Sequence, residues 1–290
     1  MNLITGVTGH FGKAAVGFLL KKTDPSQIAV LVRDKQKATA FKAQGIDVRE
    51  GDYNDYDSLV RAFKGVDKLL FVSANDIAKR SQQQANVVRA AIKAGVKHVV
   101  YTSFQRKDES ENSPIAFIAK AHIETERALQ ASGLTYTILK NALYADMIPL
   151  FAGEQVLQTG TLLLPAGEGK IGFATRQDMA EAAVNVLTSD GHQNKSYEIA
   201  NETALTYEQV ADIIAKVSGK PVAYVSPTPE AFSETLTKFG VPQPIIHVTT
   251  AFAQATAQGL LDFPGRTLET LLGRKPQSTE AFLTTIYGKV

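Results

Sequence analysis

Gly6, Gly9 and Gly12 recur every third residue directly after the short run Met1-Asn2-Leu3-Ile4-Thr5. The loop Gly6-Val7-Thr8-Gly9-His10-Phe11-Gly12 reads GxxGxxG and leads into a helical pattern. A strand that ends in such a turn aims the first N–H groups of the next helix at a negatively charged pyrophosphate. Glycine lets backbone approach phosphate closely, and the last glycine lets helix and strand pack. The spacing differs from GxGxxG, so it is the position in the first strand–helix unit that carries the reading. Thr8, His10 and Phe11 join the three glycines as cofactor-contacting candidates.

The second apolar run, Ile28-Ala29-Val30-Leu31-Val32, ends in Arg33. A carboxylate there would hold a ribose 2′-hydroxyl and repel a 2′-phosphate, whereas a guanidinium grips the phosphate with paired hydrogen bonds. Lys35 and Lys37 add positive charge, and Asp34 is placed to cap the following helix. The expected cofactor is therefore NADPH. Gly51-Asp52-Tyr53 follows the third run, where Asp52 can accept from an adenine amine; Ser73-Ala74-Asn75 follows the fourth, where small residues let a dinucleotide cross the sheet edge.

These loops need a scaffold that brings strand ends together. Strand signals at 2–5, 28–32, 47–49, 68–72, 98–102 and 135–139 alternate with helical stretches at 11–22, 35–43, 57–63, 78–94 and 114–131. That alternation predicts an α/β protein with a Rossmann doubly wound parallel sheet. Gly45, Gly95 and Gly133 each stand between a helix and the next strand, as helix-ending glycines do. After about residue 143 the rhythm loosens. Apolar segments at 161–164 and 171–174, a helix at 176–187, a strand at 197–200 and the capping box Thr206-Tyr207-Glu208-Gln209 follow. The expected division is an NADP-binding domain over 1–145 and a smaller α/β C-terminal lobe over 146–290, with about 171–200 returning to the first.

Composition narrows the function classes. Lys+Arg 31 against Asp+Glu 29 leaves a formal charge of +2, too even for general nucleic-acid binding. The chain has no cysteine, which excludes disulfides, thiolate metal sites and a cysteine nucleophile. His10, His98, His122, His192 and His247 show no metal-ligand spacing, so no metal is expected. No apolar run approaches about 18 residues, and the N-terminus lacks a signal-peptide pattern. The expectation is a cytoplasmic protein without a membrane partner.

The chain resembles atypical short-chain dehydrogenases/reductases of the NmrA-like family. The resemblance rests on Ile4 to Gly12, Leu31-Val32-Arg33, Gly51-Asp52-Tyr53, Ala94 to Lys97 leading to Tyr101-Thr102-Ser103, and His122-Ile123-Glu124-Thr125-Glu126. Gly167 to Lys170, Ala174 to Arg176 and Leu271 to Arg274 extend it almost to the C-terminus. It implies an NADPH cleft between a Rossmann domain and a smaller domain, and it is strongest toward the family's quinone reductases.

Ordinary members of the superfamily carry a Tyr-x-x-x-Lys pair on the helix after strand five and a Ser at that strand's end. Here Ser103 and Lys120 match, but four residues before Lys120 stands Ala116, which has no proton to give. Tyr136-x-x-x-Lys140 lies in a strand, where four residues span about 13 Å, so these two side chains cannot cooperate. A quinone suits this deficit, because it accepts hydride readily and takes its proton from water. The protein then mainly holds two rings face to face. Asn141, Tyr144 and Lys120 are the catalytic candidates, Thr102 and Ser103 line the cofactor side, and Phe104 offers an aromatic wall. Lys120 alternatively pairs with Glu124, and His122 with Glu126, at helical spacing. Lys170 and Arg176 read as solvated. The expected partner is a quinone-like small molecule, with a homodimer left open. A non-catalytic NADP(H) sensor and a nucleotide-sugar epimerase are the alternatives that the resemblance leaves.

Overall fold

The computed structural model describes residues 1–288. The first half runs β1 (Asn2–Ile4), α1 (His10–Leu19), β2 (Ile28–Val32), α2 (Thr39–Ala43), β3 (Asp47–Glu50), α3 (Tyr56–Phe63), β4 (Lys68–Phe71), α4 (Arg80–Ala94), β5 (His98–Phe104), α5 (Ala116–Ala131) and β6 (Thr135–Asn141). The second half adds α6 (Ile148–Ala152), α7 (Val156–Thr159), β7 (Thr161–Leu163), β8 (Lys170–Ile171), α8 (Arg176–Thr188), β9 (Lys195–Ile199) and β10 (Leu205–Thr206). It continues with α9 (Tyr207–Ser218), β11 (Ala223–Val225), α10 (Pro229–Lys238), α11 (Gln243–Ala257), α12 (Thr267–Leu272) and α13 (Thr279–Tyr287).

Seven strands form one parallel sheet in the order β3-β2-β1-β4-β5-β6-β9. The strand order reverses between β1 and β4, the crevice in which ligands of open α/β sheets bind. Side chains alternate between the sheet's two faces, so each run feeds two cores. Ile4, Val30, Leu70 and Val100 pack with α1, α8 and Leu268 of α12. Leu3, Ala29, Leu31, Leu69, Phe71 and Tyr101 pack with α3 and α4. A third cluster joins α6, α9 and α11 through Phe151, Tyr207 and Phe252.

Gly95 ends α4 at φ +71, a conformation costly for side chains with a Cβ, and Gly45 and Gly133 are likewise left-handed after their helices. The Thr206–Gln209 capping box is formed. Some boundaries shift. The 35–43 stretch splits into a 3₁₀ turn and the short α2, with Asp34 accepting from Gln36 N–H. Of the apolar 171–174 segment only Ile171 joins β8; Ala174 instead bridges to Tyr144 in parallel. β6 runs two residues past the expected end at 139, so Asn141 is its last residue. Among the described residues no helix is long and apolar enough to cross a membrane.

Candidate functional site

The carboxyl ends of β1, β2, β4, β5 and β6 open into one cavity of about 740 Å³, within the usual range for ligand sites. At its floor Gly6 adopts φ +66, and Gly9 N–H returns to Gly6 O at 3.0 Å. A Cβ on Gly12 would stand 2.4 Å from Gly6 O, so the loop and α1 touch as only glycine allows. No side chain caps α1, which leaves its first-turn N–H groups free for an anion. Gly6, Thr8, Gly9, His10, Phe11 and Gly12 all line the cavity.

Arg33 lines the same cavity from the end of β2 and is exposed. Asp52, Tyr53, Ser73, Ala74 and Asn75 line it too. Two of these are partly engaged within the protein. Asp52 Oδ1 accepts from the N–H and side-chain amide of Asn54, both at 2.8 Å. The Tyr53 hydroxyl bridges Thr5 Oγ1 at 2.6 Å and Val72 O at 2.8 Å, tying the loop after β3 to β1 and β4.

The structure corrects two expected contacts. Thr102 does not line the cavity; its hydroxyl accepts from Ser73 N–H at 2.9 Å and holds the ends of β4 and β5 together. Lys120 is exposed, on a face of α5 turned away from the cavity. The cavity face of α5 carries Ile118 and His122, one turn apart. The helix thus presents an apolar side chain and an imidazole to the cavity, and no Tyr–Lys pair.

The expected His122–Glu126 pair is absent. His122 Nδ1 lies 2.8 Å from the Tyr101 hydroxyl, and burial first, then Arg80 and Arg106, holds its pKa well below the usual imidazole range. Glu126 instead binds Arg106 through both oxygens, at 2.9 and 2.8 Å, and accepts from Ser103 Oγ. The Arg106 side chain is fully buried, and the pair anchors the loop between β5 and α5. Ser103 still lines the cavity, but its proton is spent on Glu126.

Asn141 is buried and lines the cavity beside Tyr144, whose hydroxyl interacts with it, but neither atom of its amide has a hydrogen-bond partner of good geometry. An orphaned amide at this depth costs about 1–3 kcal/mol unless something else satisfies it. Tyr144 reaches the cavity from just beyond β6, and burial raises its hydroxyl pKa. Phe104, Ile118, Leu143, Met147, Val248 and Phe252 supply an apolar end to the cavity. Lys170 is exposed and outside it, whereas Arg176, read as solvated, lines it. Arg80, Val248 and Phe252 carried no sequence signal; the last two come from α11, far along the chain, and only the fold brings them here.

The chain and its fold are similar to known proteins. Quinone oxidoreductase 2 of Escherichia coli is 39% identical over 97% of this chain and 96% of its own length. The crystal structure of NADPH-dependent quinone oxidoreductase QOR2 from Escherichia coli complexed with NADPH gives a TM-score of 0.93 at 36% identity, covering 99% of this chain and 100% of that one. The triphenylmethane reductase of Citrobacter sp. complexed with NADP(H) gives 0.90 at 36% identity, covering 99% and 100%. The sequence model of the NmrA-like family matches residues 2–283. With the glycine loop, the sheet order and this match in agreement over nearly the whole length, the chain belongs to the NmrA-like family.

Proposed function

We propose that this protein is an NADPH-dependent oxidoreductase that reduces a quinone-like acceptor without a Tyr–Lys proton-donor pair. The observation that carries the reading is a single cavity that joins the glycine loop and Arg33 to an apolar end where α5 presents Ile118 and His122 and no Tyr–Lys pair. The close approach of Gly12 to Gly6 O and the orphaned Asn141 amide fit a dinucleotide. In this reading the first turn of α1 holds the pyrophosphate, Arg33 the 2′-phosphate, and Asn141 the nicotinamide carboxamide. NADPH when bound supplies the hydride. Phe104, Phe252 and Met147 pack a flat acceptor ring and exclude water, which makes the task one of proximity. Tyr144 and Asn141 stand where they can donate to an acceptor oxygen. Residues 1–145 then form the cofactor unit and the rest of the described residues the substrate-side lobe, with 171–200 returning α8 and β9 to the first unit; the last two residues of the expected 146–290 lobe lie outside the described residues.

Quinone oxidoreductase 2 and the triphenylmethane reductase are relatives of this chain, and the NADPH and NADP(H) bound in their crystal structures support an NADP(H)-linked reduction here. Steady-state assays with a benzoquinone test it. Saturable turnover with NADPH and much weaker turnover with NADH is the expected result. NADPH binding without turnover on any quinone would replace the reading with a cofactor sensor.

A further inference from the structure

Arg80 opens α4 and lines the cavity beside His122. Its Nε is buried without a hydrogen-bond partner. Its one side-chain hydrogen-bond partner among the described residues is His122, whose Nε2 lies 3.5 Å from Nη1. The directions of the neighbouring bonds settle how that ring is protonated. The Tyr101 hydroxyl donates to Gln84 Oε1 at 3.1 Å, so its single proton is committed. The 2.8 Å contact between Tyr101 and His122 Nδ1 then carries a proton from the imidazole, and Nε2 is left as an acceptor toward Arg80. Gln84 Nε2 in turn donates to Thr125 Oγ1 at 2.8 Å and to Ala121 O at 3.0 Å. A one-way chain therefore runs from Arg80 through a neutral imidazole to the backbone of α5. It orients the guanidinium without neutralising it.

Arg80 also enters the cavity away from Arg33, whereas Arg176, the third cavity arginine, is already paired with Asp146. His122 packs against Tyr101 of β5, three strands from β2 and Arg33. At about 4.8 Å per strand the two strands stand roughly 14 Å apart, so Arg80 approaches the cavity from the β5 side and not from the Arg33 corner. Phe104, whose ring centroid is 6.2 Å from that of His122, places Arg80 at the apolar end.

We propose that Arg80 is a catalytic residue that binds the acceptor oxygen on which negative charge collects, with His122, Tyr101 and Gln84 as positioning residues. The inference rests on the reductase reading above. In that reaction a quinone gains a hydride: the hydrogen's bond to the quinone forms as the nicotinamide C–H bond breaks, and NADPH leaves as NADP⁺. The quinone becomes the mono-anion of its hydroquinone, and water supplies the last proton. A fixed cation at the charged oxygen lowers the energy of that step most where water is excluded.

The test uses 4-nitrophenol as a stable stand-in for the mono-anion, bound to the NADP⁺-loaded protein. Wild type is expected to bind 4-nitrophenolate about tenfold or more tightly than the uncharged 4-nitroanisole. Arg80→Met should abolish that preference, Arg80→Lys should keep part of it, and His122→Ala should reduce it. NADPH affinity should stay within about twofold in all three, since a charged contact to its phosphates would be worth tenfold or more. An equal preference in wild type and Arg80→Met, or NADPH affinity that weakens in parallel, overturns the assignment. A wild type that prefers the phenolate but reduces no quinone overturns the reductase reading alone.

Discussion

The Arg176 guanidinium stands over the Tyr144 ring, 4.6 Å from its centroid. The same residue holds Asp146, by its backbone N–H at 3.0 Å and its side chain at 3.3 Å. The start of α8 is thereby fastened to the segment just after β6, and the Tyr144 ring is fixed from one side. Arg176→Gln should free that ring. The expected outcome is an acceptor KM raised about threefold to tenfold, NADPH affinity unchanged, and stability lowered by about 1 kcal/mol. Steady-state kinetics and urea titrations read the three effects separately.

Arg33 makes no hydrogen bond within the protein among the described residues, so its charge is free for a ligand. Arg33→Ala should weaken NADPH binding by roughly 1.5–3 kcal/mol, about tenfold to a hundredfold, and leave NADH nearly unaffected. Fluorescence titration with both cofactors checks this, and equal losses would remove Arg33 from the 2′-phosphate.

Gly12→Ala forces a methyl group to within 2.4 Å of Gly6 O, backbone that cannot rotate aside. The loop and α1 must separate. A stability loss of about 1–3 kcal/mol is expected, as for other overpacked sites, with NADPH affinity falling at least tenfold because the first-turn N–H groups move with the helix. Thermal melts with and without cofactor measure both.

His98 sets a pH dependence. Its Nε2 donates to Thr137 Oγ1 at 2.8 Å, since the Thr137 proton goes to His192 O at 2.7 Å. Burial, then the nearby Lys68 and His192, bring its pKa down from 6.5 to about 4. The folded state therefore favours the neutral ring, while the unfolded chain takes up a proton below pH 6.5. Stability is full above that pH and falls as pH drops toward 4. His122 is shifted in the same direction. Urea unfolding from pH 8 to pH 4 should show the decline, and His98→Asn should flatten part of it.

The parallel sheet and its glycine loop are legible in sequence because local rules generate them. Ile28 to Val32 is an apolar run of strand length that ends at Arg33, and Gly95 marks a helix end. The cofactor end of the site depends on such adjacent features. The acceptor end does not. Lys120 and His122 are only two residues apart, yet about 200° apart around a helix. Which of them meets the cavity is decided by how α5 packs, and the packing turns His122 inward. Arg106 and Glu126 likewise meet only because β5 and α5 are side by side. Val248 and Phe252 face the cavity through the fold of α11, with no pattern in their own segment to announce it.

β9 lies beyond β6 at the sheet margin, although more than fifty residues separate them in the chain. While the polypeptide is being synthesised, β6 emerges with one hydrogen-bonding edge bare, and it stays bare until Lys195–Ile199 has been translated. α1 meanwhile waits for α8, its main partner on that side of the sheet. A ribosome-bound intermediate of this chain is thus sticky along one particular strand, and chaperone capture or premature aggregation would centre there.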